Sequence, residues 1–363
     1  MSSILLISIV LFNNEEVIED CLKSLKRQEY SQYSSNVSIL VIDNSSKDNS
    51  VAIAKKYLDA EAIIQLPTNI GFCAAHNMAA TVAVEKSIPY LLILNPDTIA
   101  GPTLISDLLK AFILAEKDDP SIGGAGVLLL RPTAYKDSGD TIDSRREEPI
   151  IDSAGITFTS SLRHFDAYSG KPLSSFANIS EPSYVAGVTG ACLLVSTKFV
   201  KAVSFRAKYD DDIERVYPEL SVNRKERFQL FDEAFFAYRE DAELAWRSII
   251  LGWHFILFPN ITCIHVRRVT PERRLLLPPE INALGVKNRF LLQLNCWSLW
   301  YDSKAFIPGI IVRNILVLLG VVLKEQSSLR AFLEFCLLAR RGWYRRRYIM
   351  SQRKSKRSIF GRP

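Results

Sequence analysis

The sequence predicts an α/β protein, a Rossmann-like and mostly parallel sheet flanked by helices. Three observations carry the prediction. Apolar runs of strand length recur through the first hundred residues, segments of helix length separate them, and one run, LLIL at 91–94, passes directly into Asn95-Pro96-Asp97. Strands that alternate with helices imply parallel βαβ units joined by right-handed crossovers.

Strands are expected at 3–11, 37–43, 61–66 and 89–95. The first run, ILLISIVLF, has no positive leader because the first Lys or Arg is Lys23, so it reads as a buried strand rather than a signal peptide. After it, EEVIEDCLKSLKRQ places Val17, Ile18, Cys21, Leu22 and Leu25 on one helical face. NSVAIAKKYL, AAHNMAATVAVEK and TLISDLLKAFILAEK supply the further helices. A central parallel strand is buried on both faces and reads as an unbroken apolar run, which accounts for Leu91 to Leu94. It does not account for the polar triplet at the carboxyl end. Open α/β sheets bind ligands in the crevice beyond their strand ends, so Asn95-Pro96-Asp97 marks a candidate site.

The first turn argues against a dinucleotide. A cofactor-binding Rossmann domain needs glycines there so that backbone can approach the pyrophosphate, and VLFNNEEV has none. Asp43 ends the strand VSILVID, where its carboxylate can meet a base or ribose; Asp43-Asn44-Ser45 reads equally as a turn closed by an Asx bond. GGAG at 123–126 lacks the Lys and spacing of a phosphate loop and is expected to be a turn. His76 and His254 are expected to pack, and Cys192 to be a buried small residue. The six cysteines lie far apart with no CxxC pair, a pattern of reduced thiols rather than of zinc or disulfides.

Composition bounds the class. Apolar residues at 48% and charged residues at 23% are globular values. The net charge of +6 is uneven: residues 340–363 hold ten Lys and Arg and no acid, which leaves the remainder at −4 (+6 less 10). Such a tail points to a polyanion, here a membrane surface, since no nucleic-acid-binding module is recognised.

Taken in order, SIVLFNNEEVIEDCLKSLKRQ, VIDNSSKDNS, NIGFCAAHN and LLILNPDT resemble glycosyltransferase family 2 with its GT-A fold. GVTGACLLVSTKFV and FDEAFFAYREDAELAWRSIILGWHFILFPNITCIHV are similar to the second half of its rhamnosyltransferase-like branch, which carries NPD in place of the usual Asp-x-Asp. The resemblance covers roughly residues 4 to 300. It implies that Asp43 contacts the nucleobase, that Asn69, Gly71, Asn77 and Asn95 lie on the nucleotide side, and that Asp97 holds Mg²⁺ or Mn²⁺ on the donor diphosphate. It further implies that His265 touches the metal or diphosphate and that Asp241, beside Glu240, is the catalytic base. The donor implied is a nucleotide sugar, dTDP-rhamnose first and a UDP- or GDP-hexose as the alternative; the acceptor is a lipid-linked saccharide of cell-surface polysaccharide assembly. A non-catalytic membrane scaffold is the reading from another class.

The chemistry agrees. A leaving nucleoside diphosphate gains negative charge, which a carboxylate-held divalent cation stabilises. The attacking hydroxyl must lose a proton, and inverting transfer needs a single base for it. Acids in a first helical turn, as Glu240 and Asp241 are expected to be, also simply favour the helix dipole.

Two regions are expected: a glycosyltransferase domain over 1–270 and a helical, membrane-associating region over 271–363. In the second, PEINALGVKNRFLLQLNCWSLW reads as a helix, and FIPGIIVRNILVLLGVVL, interrupted by Arg313 and Asn314, suits an interfacial helix better than a span. LRAFLEFCLLARRGWYRRRYIMSQRKSKR mixes apolar residues with dense Arg, as a helix on anionic lipid does, or as a core helix with a basic tail. The expected location is peripheral, on the cytoplasmic face of the plasma membrane. Segment 201–230 reads as a solvated loop or an acceptor-facing flap.

Overall fold

The computed structural model describes residues 3–29, 36–132, 148–176, 179–205, 211–221, 227–267, 278–302, 305–356 and 359–360. The expected domain boundary at 270, and parts of the 201–230 segment, lie outside them.

The N-terminal alternation is β1 (Leu5–Leu11), α1 (Ile18–Lys26), β2 (Val37–Asp43), α2 (Ser50–Ala54), β3 (Ile63–Gln65), α3 (Gly71–Glu85), β4 (Tyr90–Leu94), β5 (Thr98–Ala100) and α4 (Leu104–Asp118). Then come β6 (Ile122–Arg131), β7 (Ile150–Ser153), β8 (Ile156–Phe158), β9 (His164–Asp166), β10 (Ser183–Val185), β11 (Cys192–Ser196), α5 (Thr197–Val203), α6 (Asp211–Glu214), α7 (Glu240–Ile250) and β12 (His254–His265). Three helices close the chain: α8 (Pro279–Cys296), α9 (Ile307–Lys324) and α10 (Arg330–Ser351).

One sheet runs β10-β12-β6-β11-β4-β1-β2-β3, with β5 on β12 and β7 on β6. β3, β2, β1 and β4 are mutually parallel, β11 is antiparallel to both neighbours, and β12 is parallel to β6. This is the mixed α/β sheet the alternation predicts. β1 shows why its sequence is apolar throughout: Leu6 and Val10 enter the core under α3, while Leu5, Ile7, Ile9 and Leu11 enter the core under α1 and α4. A strand with helices on both sides has no wet face.

One expectation is corrected here. The glycines at 123–126 do not form a turn but lie inside the buried strand β6. A Cβ on Gly123 would meet the Phe199 ring at 2.2 Å, on Gly124 the Phe255 ring at 2.8 Å, and on Gly126 Val188 at 2.3 Å. The glycines make room for large side chains from neighbouring elements, one reason for Gly within a strand. All six cysteines are free and five are buried, as expected.

The C-terminal helices pack into the same core. Leu291, Leu292 and Cys296 of α8 and Leu338 and Ile349 of α10 join the cluster that contains β1, α3 and α7. The basic character of α10 is partly internal, although Arg330, Arg340 and Arg347 are exposed. Arg341 and Arg345 are buried and hold Asp232 at 2.7 and 3.0 Å, and Arg340 holds Asp212 at 2.7 Å. The expectation of a lipid-facing arginine helix is corrected to that extent: these guanidinium groups find carboxylates inside the protein. α9 differs, with Ile311, Leu316, Leu319 and Leu323 between 49% and 73% exposed.

Candidate functional site

Strands β1 to β4 all end at one edge of the sheet. Leu11 and Asp43 stand side by side there in register, as do Asp43 and Gln65. The loops behind them are tied together: Asn13 donates its backbone N–H to Ser46 Oγ (3.0 Å), and Lys47 donates to Asn13 Oδ1 (2.8 Å). Asp43 is 3% exposed and accepts the Ser46 N–H, three residues on, at 3.2 and 3.3 Å, so its carboxylate closes the loop after β2. Asn69 Oδ1 accepts the N–H of Gly71 at the start of α3 (2.9 Å), so its carbonyl serves the helix end. Asn95 leaves β4 with its backbone N–H on Ala191 and its carbonyl on Thr98.

The pairing of β5 with β12 gives Asp97 its neighbour. Thr98 stands opposite His265, and Val266 N donates to Asp97 O at 2.9 Å. His265 Nε2 therefore lies 3.3 Å from Asp97 Oδ1, while its Nδ1 meets Asp152 Oδ2 at 2.8 Å. Arg267 extends the chain, reaching Asp152 at 3.0 Å and Asp166 at 2.7 Å. Burial disfavours charge on His265, but Asp97 and Asp152 outweigh it and push the imidazole up to about 10. Asp152 is held at about 2 against its own burial by His265 and Arg267. The sequence reading missed Asp152, although ILE-ILE-ASP at 150–152 follows the same logic as LLILNPD, an apolar strand running into a carboxylate.

Among the described residues no group of three His, Cys, Asp or Glu side chains surrounds a metal position. The donor set nonetheless suits a cation shared with a diphosphate. Asp97 Oδ1 is buried and has no aligned hydrogen-bond partner, and His265 Nε2 stands beside it with Nδ1 fixed by a carboxylate, the arrangement that orients metal-bound histidines. Asp97 and His265 would be the two protein donors, and His265 would give up its Nε2 proton as a cation takes that proton's place beside Asp97.

The expected base and its neighbour open α7. Glu240 is 7% exposed with Oε2 buried and unpartnered, and Asp241 Oδ1 accepts the N–H of Ala242 at 2.7 Å. Burial, then Asp166, raises Asp241 to about 6, against the backbone N–H groups of Ala242 and Gly190 and against Arg267. Burial, then Asp241, pushes Glu240 well above the usual carboxylate range. Two neighbouring carboxyl groups, both pushed upward by burial, form a cluster with the perturbed acidity that proton-transfer sites use. Desolvation thus raises Asp241 against the favourable helix end but leaves it largely ionised at neutral pH.

The turn before α7 is strained. Phe236, Tyr238 and Arg239 take φ of 64°, 68° and 69° without being glycine. Ala237 N donates to Phe235 O at 2.8 Å across Phe236, whose ψ of −65° makes this the rare γ-turn of positive φ. Asn288 of α8 holds it: Nδ2 lies 2.8, 2.8 and 2.7 Å from the carbonyl oxygens of Phe235, Ala237 and Tyr238. From the other side Gly71, at φ +82°, brings backbone so close that a Cβ would sit 2.7 Å from Phe236 O. Cys73 N then donates to that oxygen at 3.0 Å. Gly71 thus supports the turn.

Asn77, expected in the nucleotide pocket, is corrected. It is fully buried, receives the Phe231 N–H on Oδ1, and donates Nδ2 to Phe231 O and Glu233. It ties α3 to the same segment. Two other carboxylates near the site are also committed: Asp232 to Arg341 and Arg345, and Glu243 to Arg247 at 2.9 Å with both side chains fully buried. His76 packs as expected, against Phe72 at 4.3 Å and with Nδ1 on Ser8 Oγ at 2.8 Å.

Residues 6–123 match the model of glycosyl transferase family 2. The match covers β1 through the start of β6 and includes the Asn95-Pro96-Asp97 triplet. Among solved structures, GalNAc-T7 with UDP, GalNAc and Mn²⁺ superposes with a TM-score of 0.53 at 12% identity, over 83% of this chain and 48% of that one. The chain thus spans about half the length of that relative. The mannosyltransferase PcManGT from Pyrobaculum calidifontis with GDP-Man and Mn²⁺ gives a TM-score of 0.46 at 12% identity, over 97% and 86%. S. aureus TarS 1-349 with UDP-GlcNAc gives 0.47 at 14% identity, over 96% and 90%. No curated protein matches. The matched segment lies in a GT-A-like fold, a curled sheet flanked by helices, the fold the motifs implied.

Proposed function

We propose that this protein is an inverting glycosyltransferase that moves a sugar from a nucleotide-sugar donor to a lipid-linked saccharide during cell-surface polysaccharide assembly. The observation that carries the reading is a chain of charges that links two acidic centres: His265 and Arg267 share Asp152, and Arg267 holds Asp166, which acts on Asp241. Asp97 with His265 stands at the end of β4, and Glu240 with Asp241 stands at the start of α7 behind a strained turn. The donor favoured is dTDP-L-rhamnose, on the NPD triplet and the second-half motifs alone.

In this reading Asp97 and His265 hold Mg²⁺ or Mn²⁺. When bound, the cation supplies Lewis-acid stabilisation of the departing diphosphate. The chain's own residues do the rest. Asp43 and the tied loops at 12–14 and 44–47 receive the nucleoside, with Asn69 and Asn95 beside them. Asp152 orients the His265 ring through Nδ1. Asp241 Oδ takes the proton of the acceptor hydroxyl, and a carboxyl near 6 is largely ionised at neutral pH yet still basic enough to accept it. Glu240, beside it at the head of α7, contacts and orients the acceptor.

The protein sits on an anionic membrane at the cytoplasmic face through α9. Asn314 turns inward to accept from Arg289 at 3.0 and 2.9 Å, which leaves Ile311, Leu316, Leu319 and Leu323 as an exposed apolar face.

The test is a panel of dTDP-, UDP- and GDP-sugars, read by thermal stabilisation and by nucleotide release with and without Mn²⁺. Mn²⁺-dependent stabilisation by one nucleotide class supports the reading. Failure of every nucleotide sugar to bind removes it and favours a scaffold.

A further inference from the structure

Several arginines converge near the hairpin of β8 and β9 without carboxylates to neutralise them. Arg163 stands exposed in that hairpin. Arg289 of α8 is 4% exposed, and its guanidinium meets only the neutral Asn314 side chain. Arg313 of α9 has a buried Nε without a hydrogen-bond partner. Among the described residues no Asp or Glu pairs with any of the three, although many other arginines here have carboxylate partners.

They lie close together: Asn314, next to Arg313, accepts from Arg289 at 3.0 and 2.9 Å, and the start of the same helix is fastened to the hairpin that carries Arg163. Burial and then Arg313 and Arg163 bring Arg289 down to about 10, and burial followed by Arg163 lowers Arg313. His164, beside Arg163, is kept well below its usual range by burial and then by Arg239, Arg289 and Arg163. Uncompensated like charges in a partly buried cluster destabilise a fold, so the arrangement calls for an anion.

The cluster's position limits which anion. On one side, Arg239 Nη1 lies 3.4 Å from His164 Nδ1, and the next residues in the chain are Glu240 and Asp241. On the other side, Phe306 N donates to Ser160 O at 2.8 Å, fastening the start of α9 to the hairpin. Arg313 is itself part of α9, whose outer face is exposed Ile311, Leu316 and Leu319. The order across the molecule is carboxyl pair, arginine cluster, apolar helix. That order matches a molecule with a hydroxyl-bearing head, a phosphate middle and a hydrocarbon tail.

We propose that Arg163, Arg289 and Arg313 bind the phosphate or diphosphate of a lipid-linked acceptor whose hydrocarbon lies along α9. The proposal rests on the transferase reading given above and places the acceptor's phosphate on named residues. Guanidinium groups suit the role because they present paired donors to phosphate oxygens and stay charged when partly buried.

The test uses the full chain in detergent with three probes: farnesyl diphosphate, farnesol and inorganic pyrophosphate. The proposal expects farnesyl diphosphate to bind at least about tenfold tighter than either of the others, because it alone supplies both halves of the site. In the triple variant Arg163→Gln/Arg289→Gln/Arg313→Gln that affinity should fall by about tenfold or more, the effect of a lost charge-assisted contact, with nucleotide-sugar affinity unchanged. The exposed single variant Arg163→Gln gives the same direction if the triple variant does not fold. Equal binding of pyrophosphate and farnesyl diphosphate would make this a free-anion site, and equal binding of farnesol would make it a purely apolar one; either overturns the proposal. So would loss of phosphatidylglycerol-vesicle binding in the variant with farnesyl diphosphate binding intact, which would assign the arginines to bulk headgroups. Nucleotide-sugar binding by the wild type keeps the two readings separable: its absence defeats the transferase reading, whereas unchanged farnesyl diphosphate affinity in the variants defeats this one.

Discussion

Replacing Asn288 by alanine should disable the site more than it destabilises the protein. Its two amide protons serve the carbonyls of Phe235, Ala237 and Tyr238 at 2.7 to 2.8 Å. Without them Phe235 O keeps the Ala237 N–H, but the other two oxygens lose the partner that held them. These two bonds are part-buried, and losing both costs about 1–3 kcal/mol. The turn they belong to stores strain of its own, roughly 1–3 kcal/mol for each of the non-glycine residues Phe236, Tyr238 and Arg239 at positive φ. These magnitudes are comparable, so the cheaper response is for the turn to relax to negative φ rather than for the domain to carry the loss. Relaxation moves Arg239 and with it the first turn of α7, where Glu240 and Asp241 lie. A misplacement of about 1 Å costs on the order of 10²-fold in rate. The assay is turnover at saturating acceptor beside donor affinity by calorimetry and melting by fluorimetry. The expected pattern is a kcat lower by about 10²-fold, donor affinity unchanged, and a melting temperature lower by only a few degrees. Wild-type turnover with a strongly lowered melting temperature would refute the reasoning, because the turn would then have kept its shape unaided.

Asp97→Asn should abolish Mn²⁺-dependent donor binding and leave melting without metal nearly unchanged; a Mn²⁺ titration with unaltered donor affinity would contradict the ligand assignment. Asp241→Asn should lower transfer by roughly 10²–10⁴-fold, the scale of lost base catalysis, with donor binding preserved. The same residue gives a stability test. Its folded pKa is raised from 3.8 to about 6, so the folded state binds more protons than the unfolded one, and its contribution to stability falls as pH rises through that window. Asp241→Asn should therefore raise the melting temperature more at pH 8 than at pH 4; an equal effect at both would deny the shift. On α9, Leu316→Gln/Leu319→Gln should reduce partition onto phosphatidylglycerol vesicles by about tenfold or more, as two leucines leave the lipid. Unchanged co-sedimentation would show that this face does not insert.

What could be read from the sequence followed local rules. β1, β2 and β4 and the helices between them fall within a few residues of expectation, because a strand buried on both faces and a helix covering it leave periodic marks. Asp97 and His265 were legible for a related reason, as polar residues ending apolar strands, but that they meet depends on the β5–β12 register, a pairing across more than 160 residues. The errors share one cause. GGAG in β6 was read from its own composition, whereas those glycines answer to Phe199, Phe255 and Val188. Asn77 was read as a ligand contact, whereas its amide answers to Phe231. Arg341 and Arg345 were read as a lipid-facing charge, whereas they answer to Asp232. In each case the partner lies on another element, and one sequence contains no signal for it.

That pattern bears on how the C-terminal helices should be understood. A peripheral anchor appended to a finished domain could be removed without consequence for chemistry, and the tail composition invites that view. The side chains argue otherwise. α8 supplies Asn288 to the strained turn and Asn295 to Asp232 at 3.1 Å, and α10 supplies Arg341 and Arg345 to the same carboxylate. Asp232 also caps the short helical turn over 233–235 by accepting Ala234 N at 3.0 Å. The segment from 232 to 239, which leads into Glu240 and Asp241, is thus held largely by residues more than fifty positions downstream. Truncation at 325 would strip two guanidinium groups from a buried carboxylate and leave an uncompensated charge there, an expensive outcome in a low-dielectric core. It would therefore report on folding before it reported on membranes, which is why the exposed leucines of α9 are the sharper probe.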